Sequence, residues 1–208
     1  RELVAILEAL PAAEPAPVKK ARALLTGWDK VLAKDSAAGA LFQVWLPKLR
    51  TAFVAYEMEA AHRDLVARHL PLPRLILFLG QMPAAERARV MHGSLEEAWK
   101  EAEKLLGAAP GAWRWGTLHT IEFRHPLANS DVRRVVFNLG PTPRGGDSFT
   151  PNATGGGGYR QSSGASYRHI VDLADWDRST FTSTPGQSGQ PGSPYYDNLL
   201  EPWARAEY

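Results

Sequence analysis

Three groups of residues in this chain have the types needed for chemistry: a serine between glycines, three histidines near aspartates, and a run of four glycines. Gly186-Gln187-Ser188-Gly189 invites comparison with a nucleophile elbow, but that turn needs Gly-x-Ser-x-Gly between a strand and a helix. The spacing fails here, and Pro185 and Pro191 frame the stretch, so it reads as a structured loop. His119, His125 and His169 could join Asp172 or Asp175 in a metal or acid–base cluster. Their spacings match no ligand pattern, and each sits in or beside an apolar run, so each is read as a core histidine bonded to a backbone carbonyl. His62 and His69 stand seven apart among Arg63, Asp64 and Arg68, which marks a solvated face and not a metal site. Gly155 to Gly158 lacks the Lys-Ser/Thr pair of a phosphate cradle and runs instead into Tyr159-Arg160, so it reads as flexible loop. Asn152-Ala153-Thr154 fits a glycosylation sequon, read as coincidence. Arg168 beside Asp172 could form a buried pair. On these grounds no catalytic residue and no metal ligand is assigned to the chain, and its substrate-binding residues stay unknown.

The elements that must position these residues divide into two kinds. From Arg1 to about Ala109 the chain is rich in Ala, Leu, Arg and Glu, with apolar residues at three- and four-residue intervals, which predicts helices. Leu3, Leu7 and Leu10 form a short stripe ended by Pro11. Val18 to Ala33 follows a Pro-rich connector, and Ser36 caps a run through Leu41, Val44, Trp45 and Leu49 that Pro47 should kink or split. Further helices are predicted over Phe53 to Leu70, Leu72 to Leu79, Ala84 to His92, and Ser94 to Leu106. The last opens on the capping-box pattern Ser94-x-x-Glu97 and stops at Gly107. After Gly111, Gly, Pro, β-branched and aromatic residues rise, and strands are predicted over Thr117 to Phe123, Val132 to Asn138 and Tyr167 to Asp172, with a long loop from Gly140 to Gly164. Few strands among long loops make a poor free-standing sheet, so partner strands are expected from elsewhere. The fold class is α+β, with a helical lobe over 1–110 and a strand-and-loop part over 111–208.

At 208 residues and 44% hydrophobic, the chain can bury a sizeable core. A net charge of +2, without a basic stripe, gives no argument for nucleic acid. No apolar run approaches the roughly eighteen residues that cross a bilayer, so no membrane span is expected. The chain has no cysteine, which excludes disulfides and thiolate metal sites without fixing a compartment. The first residue is Arg1 and not Met, from which removed upstream sequence is expected. The seven tryptophans, Trp28, Trp45, Trp99, Trp113, Trp115, Trp176 and Trp203, should mostly be core, with Trp176 covering a turn between Asp175 and Asp177.

Three features near the carboxyl end act together as a signature: Ser166-Tyr167-Arg168 followed by Val171-Asp172-Leu173, the run P-G-Q-S-G-x-P-x-S-P from Pro185 to Pro194, and a distal Trp203. This segment resembles the end of the β-subunit in the penicillin acylase family. Trp115-Gly116, Leu118-His119 and Phe123-x-His125-Pro126-Leu127 are similar to an element entering that family's core sheet, and Leu25 to Lys30 with Asp35 to Trp45 match more weakly. The recognisable pieces cover about Leu24 to Trp203. Tyr195 stands where relatives often carry His, and Asp147-Ser148-Phe149 replaces a more usual Asp-Gly or Asp-Asn continuation.

The resemblance implies an amidohydrolase of the N-terminal-nucleophile class with an αββα core and an inserted helical lobe. An upstream Ser, freed by autocleavage, would attack an N-acyl amide substrate, since Arg1 carries no nucleophile. It also implies the remainder of the enzyme (α-chain and upstream β-chain) as partner, calcium bound if at all by upstream residues, no other cofactor, and a periplasmic or secreted location. The rival expectation is a non-catalytic helical and β module that binds a partner protein through a Trp-rich surface.

Overall fold

The computed structural model describes residues 1–11 and 14–207, in two units: Arg1–Val31 with Asp35–Arg114, and Leu32–Lys34 with Trp115–Tyr208. Helices dominate and strands are few, an α+β composition.

In the first unit, α1 (Glu2–Glu8) buries Leu3, Val4 and Leu7. Arg22 of α2 (Ala16–Thr26) donates to the carbonyls of Glu8 at 2.7 Å and Leu10 at 2.9 Å, placing a cation at the C-terminal end of α1. The same guanidinium meets Glu14 at 3.2 Å. Residues 12 and 13 of the Pro-rich connector lie outside the described residues.

Helix α2 stops at Thr26 and not at the predicted Ala33. Local side-chain bonds end it: Lys30, in the left-handed region at φ 66°, donates from Nζ to the Thr26 and Trp28 carbonyls, and Asp29 Oδ1 accepts the Val31 N–H. Helix α3 (Ala37–Glu57) begins as predicted, with Ser36 Oγ accepting the Gly39 N–H at 2.9 Å. Pro47 does not split it. The ring forgoes one helical hydrogen bond, but Trp45, Leu46 and Leu49 around it are all buried, and that burial offsets the loss.

The helix predicted over Phe53 to Leu70 is broken at extended Met58, and α4 (Arg63–His69) starts afresh. Arg63 marks the break, donating to the Ala55 and Met58 carbonyls at the end of α3. Helix α5 (Leu72–Gln81) follows, then α6 (Ala84–Leu106), one helix where two were predicted. Ser94 caps nothing. It is buried inside α6, where its hydroxyl donates to the Met91 carbonyl and accepts the Trp45 indole N–H, both at 3.0 Å, joining α6 to α3. Gly107, at φ 91°, does end the helix.

In the second unit a helical turn, α7 (Trp115–Leu118), precedes β1 (Thr120–Phe123), so the predicted strand starts later. The stretch predicted as a strand over Val132 to Asn138 is instead α8 (Asp131–Phe137): Ser130 Oγ accepts the Arg133 N–H and Asp131 opens the first turn. Strand β2 (Leu139–Pro143) lies inside the predicted loop and pairs antiparallel with β1, Thr120 facing Pro143 and Phe123 facing Leu139, with an irregularity between Ile121 and Phe123. Gly140 is needed here, since at φ 96° an added Cβ would lie 2.6 Å from the Ile121 carbonyl oxygen. Strand β3 (Tyr167–Ile170) pairs antiparallel with β4 (Thr180–Ser183), and α9 (Leu200–Ala204) packs on β4. Each sheet has two strands.

Ser94→Ala should leave the helix intact, since alanine is the better helix former, while orphaning the buried Trp45 N–H. The expected loss is about 1–3 kcal/mol of stability, read as a lower denaturant midpoint with an unchanged helical circular dichroism signal.

Candidate functional site

The densest group of buried polar side chains lies in the second unit around Trp203. Strand alternation turns Arg168 of β3 inward with Thr182 of β4, both buried. Arg144, just beyond β2, is placed by its N–H donating to the His119 carbonyl at 2.8 Å. The Arg144 guanidinium lies over the Trp203 ring at 3.9 Å from its centroid, and that of Arg168 at 5.4 Å. Arg144 donates to Gln161 Oε1 and to the carbonyls of Trp203 and Ala204, while both terminal nitrogens of Arg168 donate to the Trp203 carbonyl at 3.1 Å. The indole itself donates to the Ala165 carbonyl at 2.8 Å and meets Phe123 edge-on.

Two cations thus cap the last turn of α9, where the helix dipole favours them. Burial, with Arg168 adding to it, pushes the Arg144 guanidinium down to about 10, so it stays charged at neutral pH. This arrangement holds backbone in place and contains no nucleophile.

His119 adjoins it. The ring is buried, stacks on Trp115 with centroids 4.6 Å apart, and donates from Nδ1 to the Tyr159 carbonyl at 2.5 Å. Burial holds its pKa below the ordinary imidazole value; the Tyr159 carbonyl opposes that shift and Arg144 reinforces it. His119 is therefore the core histidine expected. The other two are not: His125 is half-buried, stacked on Phe137, and accepts the Leu127 N–H, while His169 is exposed on β3. The three do not converge, and among the described residues no group of three His, Asp or Glu side chains is placed to hold a metal ion. His62 and His69 are both exposed.

Asp172 accepts from the Ala174 and Asp175 N–H groups and faces Arg178 at 3.7 Å, so it organises a turn, while Arg168 is engaged with the Trp203 carbonyl. Ser188 is likewise structural, its Oγ accepting the Gln190 N–H. Gln187 and Ser188 both donate backbone N–H groups to the Tyr195 carbonyl at 2.9 Å, and a Cβ on Gly186 would sit 2.4 Å from that oxygen. Tyr196, buried behind the loop, donates its hydroxyl to the Phe137 carbonyl. Gly155 anchors its run by accepting from Ser162 and Ser163 N–H groups, and Thr154 of the sequon is buried. Trp45, Trp99, Trp113, Trp115 and Trp203 are buried, Trp28 is half-buried, and Trp176, 75% exposed, leaves the expected Trp-rich binding surface reduced to one ring.

Hollows in both units accompany these features. An apolar cavity of about 370 Å³ in the helical unit is lined by Phe53, Met58, Val66, Leu70, Phe78 and Met82. A cleft of about 690 Å³ runs along β1, where Gln161 forms a parallel bridge to Ile121 and Arg124 pairs with Glu122.

Arg144→Leu should cost about 2–3 kcal/mol, because three acceptors lose a charged donor, and Arg144→Lys should not restore it, since a point charge cannot reach Gln161 and two carbonyls together. Denaturant midpoints of the two variants check this. For His119 the unfolded chain takes up a proton near pH 6.5 that the folded chain resists. Stability therefore falls as pH drops through that value. The loss between pH 7 and 5 should be smaller in His119→Asn, whose amide keeps a donor for Tyr159, than in the unsubstituted protein.

The penicillin amidase family model matches residues 1–208. An acyl-homoserine lactone acylase QuiP of Pseudomonas syringae pv. syringae (strain B728a) is 30% identical over 97% of this chain and 27% of its own length. Penicillin acylase 2 proenzyme of Pseudomonas sp. (strain SE83) is also 30% identical, over 97% and 27%. QuiP of Pseudomonas aeruginosa (strain PAO1) is 26% identical over 97% and 28%. The chain thus spans just over a quarter of the length of these relatives, which are named acylases, and it belongs to the penicillin amidase family.

Proposed function

We propose that this chain is the carboxyl-terminal part of an amidohydrolase that cleaves the amide bond of N-acyl substrates, with the nucleophilic Ser upstream. The observation that carries the reading is that nearly the whole chain aligns with just over a quarter of the length of enzymes named as acylases for penicillin or acyl-homoserine lactones. Three polar side chains support it from the other side. Ser188, His119 and Asp172 each hold backbone, which fits an attacking group supplied by another part of the enzyme.

In this reading residues 1–110 are the helical lobe and residues 111–208 close the αββα core, the β1 cleft contributing a wall near the substrate. The mechanism is acyl-enzyme formation on an N-terminal Ser, whose own amine is the base, followed by attack of water. Backbone N–H groups and an Asn side chain upstream would hold the oxyanion. Any calcium would be held by upstream residues, which is proposed from the family alone. No helix among them is long and apolar enough to cross a membrane, and a periplasmic or secreted location is proposed from the family alone.

The full-length polypeptide, expressed and purified, should separate into chains, one beginning with Ser, and release amine from an N-acyl amide. Replacing that Ser with Ala should abolish both processing and activity. A single uncleaved species without amidase activity would overturn the reading.

A further inference from the structure

The helical unit holds a charged cleft apart from the polar cluster around Trp203. On α3, Pro47, Arg50 and Thr51 fall at three- and four-residue spacing and so share one face, and on α4 Asp64, Ala67 and Arg68 repeat that spacing. The two helices pack together, and these residues line a cleft of about 360 Å³. Arg50 is half-buried beside the core residue Leu49, and its Nε is buried with no acceptor among the described residues. Burial lowers its pKa from the ordinary arginine value, and among the described residues no carboxylate opposes that shift. A cation in this position is costly until an anion meets it. Arg68 is fixed on the facing helix by its Nε donating to the Asp64 carbonyl at 3.1 Å, and Thr51 adds a hydroxyl. Two guanidiniums against the one carboxylate of Asp64 leave the lining with a single positive charge.

We infer that the cleft between α3 and α4 binds a small organic monocarboxylate, its carboxylate held by Arg50 and Arg68. The planar fork of a guanidinium matches the two oxygens of a carboxylate. One uncompensated positive charge matches one negative charge, and the Asp64 carboxylate repels a second, which favours a carboxylate over a phosphate dianion. The space equals that of about ten waters, more than a bare ion fills. The Pro47 ring and the Ala67 methyl give the organic part of the ligand an apolar wall.

The test uses the full-length purified polypeptide, with benzoate as the probe and inorganic phosphate and benzylamine as comparisons, read by isothermal titration calorimetry and thermal melting. Benzoate should bind and raise Tm, and both effects should be stronger than with phosphate and absent with benzylamine. Arg50→Met and Arg68→Gln should each weaken benzoate about tenfold or more, the loss of one charged hydrogen-bonding partner. Without benzoate, Arg50→Met should melt no lower than the unsubstituted protein, since it removes a buried cation that lacks a partner. Arg68→Gln, on an exposed side chain, keeps the test valid if Arg50→Met does not fold. Benzoate affinity unchanged in Arg68→Gln would overturn the inference, as would phosphate or benzylamine binding as tightly as benzoate. A clear fall in the Tm of ligand-free Arg50→Met would also overturn it, because the guanidinium would then already be paired within the enzyme.

Discussion

The second unit depends on keeping two guanidiniums out of water against one indole. A buried charge is costly unless every donor finds an acceptor, and Arg144 and Arg168 find theirs mainly in the carbonyls at the end of α9. A desolvated cation over tryptophan adds about 2 kcal/mol, and each charged hydrogen bond about 1.5–3 kcal/mol. These gains are of the size needed to hold the charge, which agrees with Arg144 remaining protonated at neutral pH despite its burial. Segments far apart in sequence are joined as a result: the residue after β2, strand β3, Gln161 and the carboxyl-terminal helix all meet at Trp203. A small unit with two short hairpins obtains its connectivity from this cluster more than from its sheets.

The helical unit solves its packing differently. Helices α3 and α6 run along one another and bury large side chains, and their polar connection is the Trp45 to Ser94 hydrogen bond. This explains why Pro47 is tolerated. One missing backbone hydrogen bond is worth about 1 kcal/mol, whereas burying Trp45, Leu46 and Leu49 contributes several times that. Arginine and lysine side chains do recurrent work at helix ends here: Arg22 closes α1, Lys30 closes α2 and Arg63 closes α3.

Features decided within a few residues were legible in the sequence. Ser36, Gly107 and the start of α5 follow from cap chemistry and periodicity, and the tail signature was enough to place the family. Features decided by competition were not. Ser130-Asp131 is a good helix start, yet the valines after it argue for a strand, and the cap prevails because the segment closes locally. Ser94 has the spacing of a capping box but sits against Trp45, where a buried hydrogen bond outweighs the cap. His119 was readable as a core histidine, while His169 was misplaced because a short strand leaves one face open and sequence does not say which, and His125 because β1 ends before it, at Phe123. The arginine pair on Trp203 was missed altogether, since nothing local ties residues 144, 168 and 203.

The tail signature shows why membership in this family does not by itself locate chemistry. Its residues are spent on the main chain: Gly186 lets the loop approach the Tyr195 carbonyl, Gln187 and Ser188 donate to that carbonyl through their backbone, and Tyr196 fastens the loop to the end of α8. In this chain the signature therefore marks a packing device. Relatives named for penicillin and for acyl-homoserine lactones are 30% identical to this chain alike. The packed loop of the tail is held together by its own main chain at the Tyr195 carbonyl, and by the Tyr196 hydroxyl at Phe137.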